Sequence, residues 1–436
     1  RNGMARSPRA LALVVWWAWF PRHAPAQERY TLRFYMYQGR HIDHSWLESC
    51  EAFARVRASP LGQGLTEVSL YHTLREHPLR THDASEAALF YVPIWEATSW
   101  HVGVCNGTTH AERMAGVHHV LRTSPYFLRQ GGRDHFWASS TSNLPLPRDT
   151  SRWVPLATRL GPQLSLLLAE TTAGRFKRDF GSHSAHPGRS PGKELRRHPS
   201  KVARCVFDMG YEPNRYALER GGNHTRRSKL VYFAGGLDVC CSGEEIRCRL
   251  GEVLVRYDGD PTVQVVLSMR KEVPRPEEVP CLHKALTRLA EARGQALEAV
   301  VDSLHLGAYG NESKYKRMGM SMRRSVFCLA PAGDTCVTSR LQSAIAAGCI
   351  PVLVCPTKYV LPYGGNPAGP NLQPVDYERF LIRVDPDRWL DDPAGVIEGL
   401  RTMPIHEVLR RQAELTKLRD DVLLASHQRR VGKHFL

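Results

Sequence analysis

The sequence has no apolar run long enough to cross a bilayer as a helix, which takes about 20 residues. Its apolar stretch near the start, Ala10 to Phe20, has only eleven. Nucleic-acid modules are missing too: there is no zinc-finger spacing, no RNP aromatic motif and no basic helix with heptads. The cysteines never take the paired C-x-x-C form, so Cys240, Cys241 and Cys248 with a histidine make a poor zinc set. No internal sequence repeat is present, although two α/β halves would still repeat structurally. Acidic side chains are in deficit, 43 Asp and Glu against 59 Lys and Arg, a formal net charge of +16. That excess suits nucleic acid, an acidic polysaccharide, a membrane surface or an anionic nucleotide. Without a nucleic-acid module the first is set aside.

At 436 residues the chain exceeds what one core holds, so two domains are expected. Residues 1–27 have the layout of a secretory signal peptide: Arg6 and Arg9, the apolar stretch, then Ala24-Pro-Ala26 at a cleavage spacing. An uncleaved short signal anchor, with membrane association, is the alternative. Eleven cysteines is an odd number, so at least one lacks a partner within the chain. In an oxidising lumen Cys50, Cys105, Cys205, Cys240, Cys241, Cys248 and Cys281, all expected outside the sheet, can form disulfides. Cys328 and Cys349 are expected as buried free thiols. Sequons at Asn106, Asn223 and Asn311 fit the same compartment.

The strongest local pattern runs from Ser325 to Val354, SVFCLAPAGDTCVTSRLQSAIAAGCIPVLV. Ser325 to Leu329 is a buried-strand run, broken by Pro331, Gly333 and Asp334. Val337, Leu341, Ala344 and Ile345 recur at helical spacing, Gly348 stops the helix, and Ile350 to Val354 is a second strand. Strand, helix and strand in thirty residues make a βαβ unit of a parallel sheet. Its loop leaves a strand and opens a helix, where free N–H groups and the helix dipole favour an anion. Gly333, Asp334, Thr335, Ser339 and Arg340 are therefore the candidate ligand-binding residues, Arg340 for a bidentate phosphate contact.

Elsewhere Tyr30 to Tyr37, Ala88 to Ile94, Leu230 to Ala234 and Thr262 to Leu267 read as strands, with helical patterns between them. Ser124 to Trp137 reads as a tight turn feeding a strand. Asp134 and His135 are adjacent there and would point to opposite faces if extended. The polar, basic stretch 171–229 reads as a surface insertion between an N-terminal domain, 28–170, and a second domain, 230–390, with helices over 391–436.

These motifs together resemble the exostosin-like glycosyltransferases, plant and algal branch included. The Ser325–Val354 stretch is similar to that family's signature in order and spacing, with Ser343 where the family has Asp. RFYMY, ASEAALFYVPIW, SPYFLRQGGRDHFW, LVYFAGG and YKRMGMSMRRS match in the same order. Two departures stand out. Ala138-Ser-Ser-Thr-Ser142 replaces an H-D-x-G stretch, and Gly364 follows Tyr363 where many members have Glu, leaving Glu378 as the substitute contact to a ribose.

The resemblance implies a GT-B fold, two Rossmann-like domains facing a cleft, with the donor on the second and the acceptor on the first. It implies an inverting enzyme of the Golgi lumen that uses a nucleotide sugar, usually a UDP-sugar, and a polysaccharide or glycoprotein acceptor, with no metal or other cofactor required. Such transfer needs a stabilised leaving diphosphate, a base for the acceptor hydroxyl and in-line alignment. The helix head with Arg340 suits the first. Asp334 beside a pyrophosphate would repel it and is better placed as a helix N-cap or a loop-shaping residue. Asp134 and His135 are the candidates for the base, against an equally plain reading as a capped turn with a packed histidine. A catalytically silent glycan-binding or partner subunit is the competing function.

Overall fold

The computed structural model describes residues 33–58, 65–140, 165–168, 205–208, 213–218, 227–238, 243–267, 273, 275–304, 312–333, 336, 338–355, 361–362 and 375–423. Residues 1–27, Asn223, Cys240, Cys241, Asn311, Asp334 and Thr335 lie outside the described residues.

The first unit is built from β1 (Phe34–Met36), α1 (Glu51–Ala58), α2 (Thr66–Arg75), β2 (Arg80–Thr81), β3 (Leu89–Tyr91), α3 (Glu96–Val102), α4 (His110–Thr123), α5 (Pro125–Gln130), β4 (His135–Ser139), β5 (Ser165–Leu168) and β6 (Cys205–Asp208). Its strands are all parallel, in the order β2-β1-β3-β4-β5-β6. Successive side chains leave opposite faces. Phe34, Met36, Tyr91, Phe136 and Ala138 therefore feed one buried cluster, and Tyr37, Phe90, Val92 and Trp137 feed the other. Thr109 closes a capping box with Glu112 at the head of α4.

The second unit runs β7 (Lys229–Gly235), α6 (Glu244–Cys248), α7 (Leu250–Arg256), β8 (Val263–Leu267), α8 (Pro280–Arg293), α9 (Leu297–Leu304), α10 (Glu312–Arg323), β9 (Ser325–Pro331), α11 (Ser339–Ala346), β10 (Ile350–Val354), β11 (Ile382–Val384), α12 (Pro386–Asp391), α13 (Pro393–Arg401) and α14 (Ile405–Val422). Its parallel sheet has the order β11-β10-β9-β7-β8. Every residue of β10 is buried, as a strand covered on both faces requires. The helix of the central motif ends where Gly348 stands at φ 64°. The N–H of Gly348 bonds Ile345 O at 3.1 Å and that of Cys349 bonds Ala344 O at 3.0 Å, the paired bonds of a Schellman ending.

Two Rossmann-like parallel sheets are thus present, as expected. Three boundaries differ. β6 falls inside the supposed insertion 171–229 and completes the first sheet. Its four residues, Cys-Val-Phe-Asp, are too short to stand out in a basic stretch. Residues 213–218 belong to the second unit: Ala217 lies in its core, and Asn214 N–H donates to Ser343 Oγ at 2.9 Å. The C-terminal helices are not an appendage, since Val396, Ile397, Leu400, Val408 and Leu415 enter the same core.

The cysteines also differ from expectation. Cys50–Cys105 and Cys248–Cys281 are disulfides, and so are Cys328–Cys349 and Cys336–Cys355. Cys328 and Cys349 are buried but not free, because β9 and β10 pair in parallel and bring them within 5.8 Å, Cα to Cα. Cys205 is the first residue of β6 rather than lying outside the sheet.

Candidate active site

In an open parallel sheet ligands bind outside the carboxyl ends of the strands, where the strand order reverses. In the second unit that point lies between β7 and β9: the chain leaves β7 for β8 on one side and β9 for β10 on the other. Gly235 ends β7 there and Gly236 follows it, and Ala332 and Gly333 follow β9. Arg340, in the first turn of α11, reaches back to β7. Its Nε donates to Ala234 O at 2.7 Å, and its guanidinium lies 5.2 Å from the centre of the Phe233 ring. A Cβ at Gly235 would come 2.7 Å from Arg340 Nη2 and 2.9 Å from the Phe233 ring, so a side chain there would displace the guanidinium or the ring.

Arg247 of α6 enters the same corner. Its Nε donates to Ala332 O at 3.0 Å, and a side chain at Gly333 would collide with its guanidinium. A side chain at Gly243 would collide in turn with the carbonyls of Ala332 and Gly333. The helix head, the glycine loop and two buried or half-buried arginines are therefore packed as one piece. Ser343 Oγ donates to Ser339 O at 2.6 Å, so the residue replacing the family's Asp serves the local backbone. The Cys336–Cys355 disulfide ties the loop after β9 to the end of β10, and Cys355 N–H donates to Val384 O of β11 at 3.2 Å.

The structure thus brings Gly333, Ser339 and Arg340 together. It does not bring Glu378 to them. That carboxylate is exposed and pairs with Arg383 Nε at 2.8 Å. Sequence reasoning missed Arg247, because a lone arginine in a short helix gives no signal until Gly333 is seen packed against it.

Asp134 and His135 are at the other edge. Asp134 lies in the turn and His135 opens β4, so both sit at the amino end of the strand. They do not point apart: Asp134 Oδ1 bonds His135 Nδ1 at 2.7 Å, which a turn residue can do and a strand neighbour could not. Nε2 of His135 bonds the Tyr37 hydroxyl at 2.8 Å, and that hydroxyl bonds Ser124 Oγ at 2.8 Å. The imidazole stacks on Phe90 with centroids 4.8 Å apart, and Phe127 abuts its edge. Burial lowers the His135 pKa, against the pull of Asp134. With both ring nitrogens engaged and the ring enclosed, the pair holds the α5–β4 corner and is not placed to meet an acceptor.

The carboxyl edge of the first sheet carries other polar groups. After β1 come Asp43, half-buried, and His44, fully buried. Asp43 accepts from Ser45 N–H at 2.9 Å and from the Tyr71 hydroxyl at 3.3 Å. His44 Nδ1 accepts from Trp95 N–H at 3.3 Å, and burial drives its pKa down to about 3. Glu67 accepts from the N–H groups of Ala97, Thr98 and Ser140 at 3.0, 3.1 and 3.0 Å. It thereby pins the first turn of α3 to the residue that follows β4. Burial pushes its carboxyl up to about 8, against those three donors, which pull it down. Glu67 lies on the apolar helical face formed by Leu70, Tyr71 and Leu74, the one sequence signal that could have marked it. Among the described residues no group of three His, Cys, Asp or Glu could hold a metal ion.

Comparison with known proteins decides the family. Residues 29–397 match the model of the exostosin GT47 domain. The chain belongs to the exostosin GT47 family. It is 30% identical over 349 residues to a probable arabinosyltransferase, ARAD1, of Arabidopsis thaliana, covering 78% of this chain and 59% of that protein. This exostosin chain therefore spans about three-fifths of that relative. Among solved structures, an α,α-trehalose-phosphate synthase (UDP-forming) from Burkholderia vietnamiensis overlaps at TM-score 0.36 and 12% identity, over 88% of this chain and 81% of that one. The Gap123 glycosylation-associated complex of Streptococcus agalactiae overlaps at 0.35 and 8%, over 74% and 57%. Overlaps that loose say nothing about substrate.

Proposed function

We propose that this exostosin-family chain is an inverting glycosyltransferase that moves a sugar from a nucleotide sugar, a UDP-sugar first among them, to a glycan or glycoprotein acceptor. The observation that carries the reading is Arg340, held by Ala234 O and Phe233 over the end of β7 at the point where the strand order reverses. A diphosphate there meets the head of α11, the Arg340 guanidinium and, from α6, Arg247. Those donors neutralise the leaving group without a metal, and they are already fixed before the reaction. Gly333, Thr335 and Ser339 complete that site in this reading, and Asp334, which would repel a pyrophosphate, serves the loop.

In a GT-B arrangement the carboxyl edges of the two sheets share a cleft, so the base belongs to the first unit's carboxyl edge. Asp43 is the half-buried carboxylate there, and it takes the role expected of Asp134 and His135. Its bond to Tyr71 orients it, and a carboxylate can serve as a general base. An arabinosyl donor is the first to try, given the relative's name. The four disulfides among the described residues support a secretory, Golgi-type compartment.

One observation favours the silent reading. Glu378 is spent on Arg383, so it is not free to hold a ribose. Thermal shift and transfer assays with a panel of UDP-sugars separate the two. A donor that binds the folded state raises the melting point by mass action. Arg340→Ala and Arg340→Lys should both abolish that shift, since a point charge cannot bond Ala234 O and fork a phosphate. A wild-type protein that neither binds nor turns over any UDP-sugar would sink the enzyme reading.

A further inference from the structure

The chain between α3 and α4 folds back on itself at Cys105-Asn106-Gly107-Thr108. Cys105 N–H donates to Thr108 O at 3.0 Å and Thr108 N–H donates to Cys105 O at 2.9 Å, which closes a two-residue hairpin. Asn106 stands at φ 48° and Gly107 at φ 73°, the paired positive values of a type I′ turn. Among the described residues Asn106 is the only one other than glycine with positive φ. Asparagine tolerates that region where most side chains do not. The Cys50–Cys105 disulfide anchors the hairpin on one side, and the Thr109–Glu112 capping box anchors it on the other.

Turn geometry accounts for the asparagine only in part, because Asp-Gly or Gly-Gly closes the same turn. The chain has Asn-Gly-Thr instead, a sequon. Asn106 and Gly107 are exposed, and the Asn106 amide has no hydrogen-bond partner among the described residues. A Cβ at Gly103 or Gly107 would meet nothing within 4 Å, so open space flanks the tip. A bulky group on Asn106 Nδ2 therefore displaces no contact. Val104, two residues before, is 67% exposed, and a solubilising sugar beside it would shield that apolar side chain. Thr108 is engaged by contrast: its hydroxyl donates to Cys105 O at 2.9 Å. The hydroxyl of the sequon is free only before the hairpin closes, so transfer belongs to the unfolded chain, ahead of the Cys50–Cys105 bond.

We infer that Asn106 is an N-glycosylation site, and the inference rests on the secretory compartment read from the disulfides. The co-substrate is an oligosaccharide carried on a polyprenyl diphosphate. Asn106 Nδ2 bonds to the anomeric carbon as the bond from that carbon to the diphosphate oxygen breaks. The diphosphate leaves with the electron pair, and one amide proton passes to a base of the transferring enzyme. None of the residues proposed for the donor or for the base lies in this hairpin.

The test is glycopeptide mass spectrometry of the full chain, routed through a eukaryotic secretory pathway by a supplied leader. Asn106 should carry a glycan, and peptide N-glycosidase in heavy-oxygen water should convert it to labelled aspartate, against an undigested control. Asn106→Asp keeps a turn-forming Asp-Gly pair and should remove one glycan step on a gel. Thr108→Ser should keep that step and Thr108→Ala should lose it, because the sequon needs a hydroxyl. The wild-type glycopeptide decides the matter even where a variant does not fold. Bare Asn106 in a chain with its disulfides formed overturns the inference and leaves the compartment standing. Bare Asn106 in a chain whose thiols stay free overturns both. A gel step that survives Asn106→Asp also overturns the inference.

Discussion

Single residues separate what chemistry needs from what packing needs. Arg340 was legible in the sequence because its spacing after Gly333 places it in the first turn of a helix. His135 looked equally functional, yet its ring is enclosed by Phe90, Phe127 and Tyr37. Adjacent letters cannot show that a turn precedes the histidine, and the turn is what folds Asp134 back onto it. Asp43→Asn should lower kcat by about 100-fold or more with little change in melting point, the loss typical of a missing general base. His135→Ala should lower the melting point and leave the pH profile of kcat in place. The opposite pattern, read from paired pH–rate profiles and melts, would restore His135 as the base. His44 carries a stability prediction. The unfolded chain binds a proton on it near the ordinary 6.5, whereas the folded chain resists until about 3. Below pH 6.5 protons therefore favour unfolding, and stability should fall as pH drops through that window. His110, lowered by burial to about 4, adds to the same slope. Urea melts across the interval should show it, and His44→Gln should flatten it.

At the level of elements, the βαβ motif was read nearly residue for residue. Both strands are continuous apolar runs, and Gly348 supplies the positive φ that a Schellman ending needs. Its cysteines were not legible, because pairing depends on which strands lie side by side. Cys336 and Cys355 are 19 residues apart in the chain, and their bond closes the glycine loop against β10. Cys336→Ser/Cys355→Ser should cost about 3 kcal/mol by loop-closure entropy. It should also weaken donor binding, because the loop that carries Gly333 loses its tether. Denaturant melts and thermal shift with donor measure the two effects, and a variant with unchanged donor affinity would show that the loop is held by Arg247 and Gly243 alone. Strand β6 was illegible for a different reason. Four residues in a basic stretch carry too little pattern, and only pairing with β5 makes them a strand.

For the whole molecule, two units follow from length, and the buried clusters bear this out. The first unit's core residues lie between Phe34 and Trp137 or Ala138, and those of the second between Ala217 and Leu423. Separate cores should unfold in separate steps, so calorimetry should resolve two transitions. A bound donor should raise only the second unit's transition, because ligand stabilises what it binds. A single transition that moves as one with donor would mean the units are energetically fused. The sequence by itself determined the parallel α/β class, the glycine-loop helix head, Arg340 and the family, because buried strands, helix stops and a spaced signature are local patterns. Only the tertiary structure decided the disulfide partners, the ends of the two units, the structural place of His135 and the gathering of Arg247 and Asp43 at strand ends. Those depend on the order of strands in a sheet, 2-1-3-4-5-6 in the first unit and 2-1-3-4-5 in the second, which brings residues far apart in the chain to one edge.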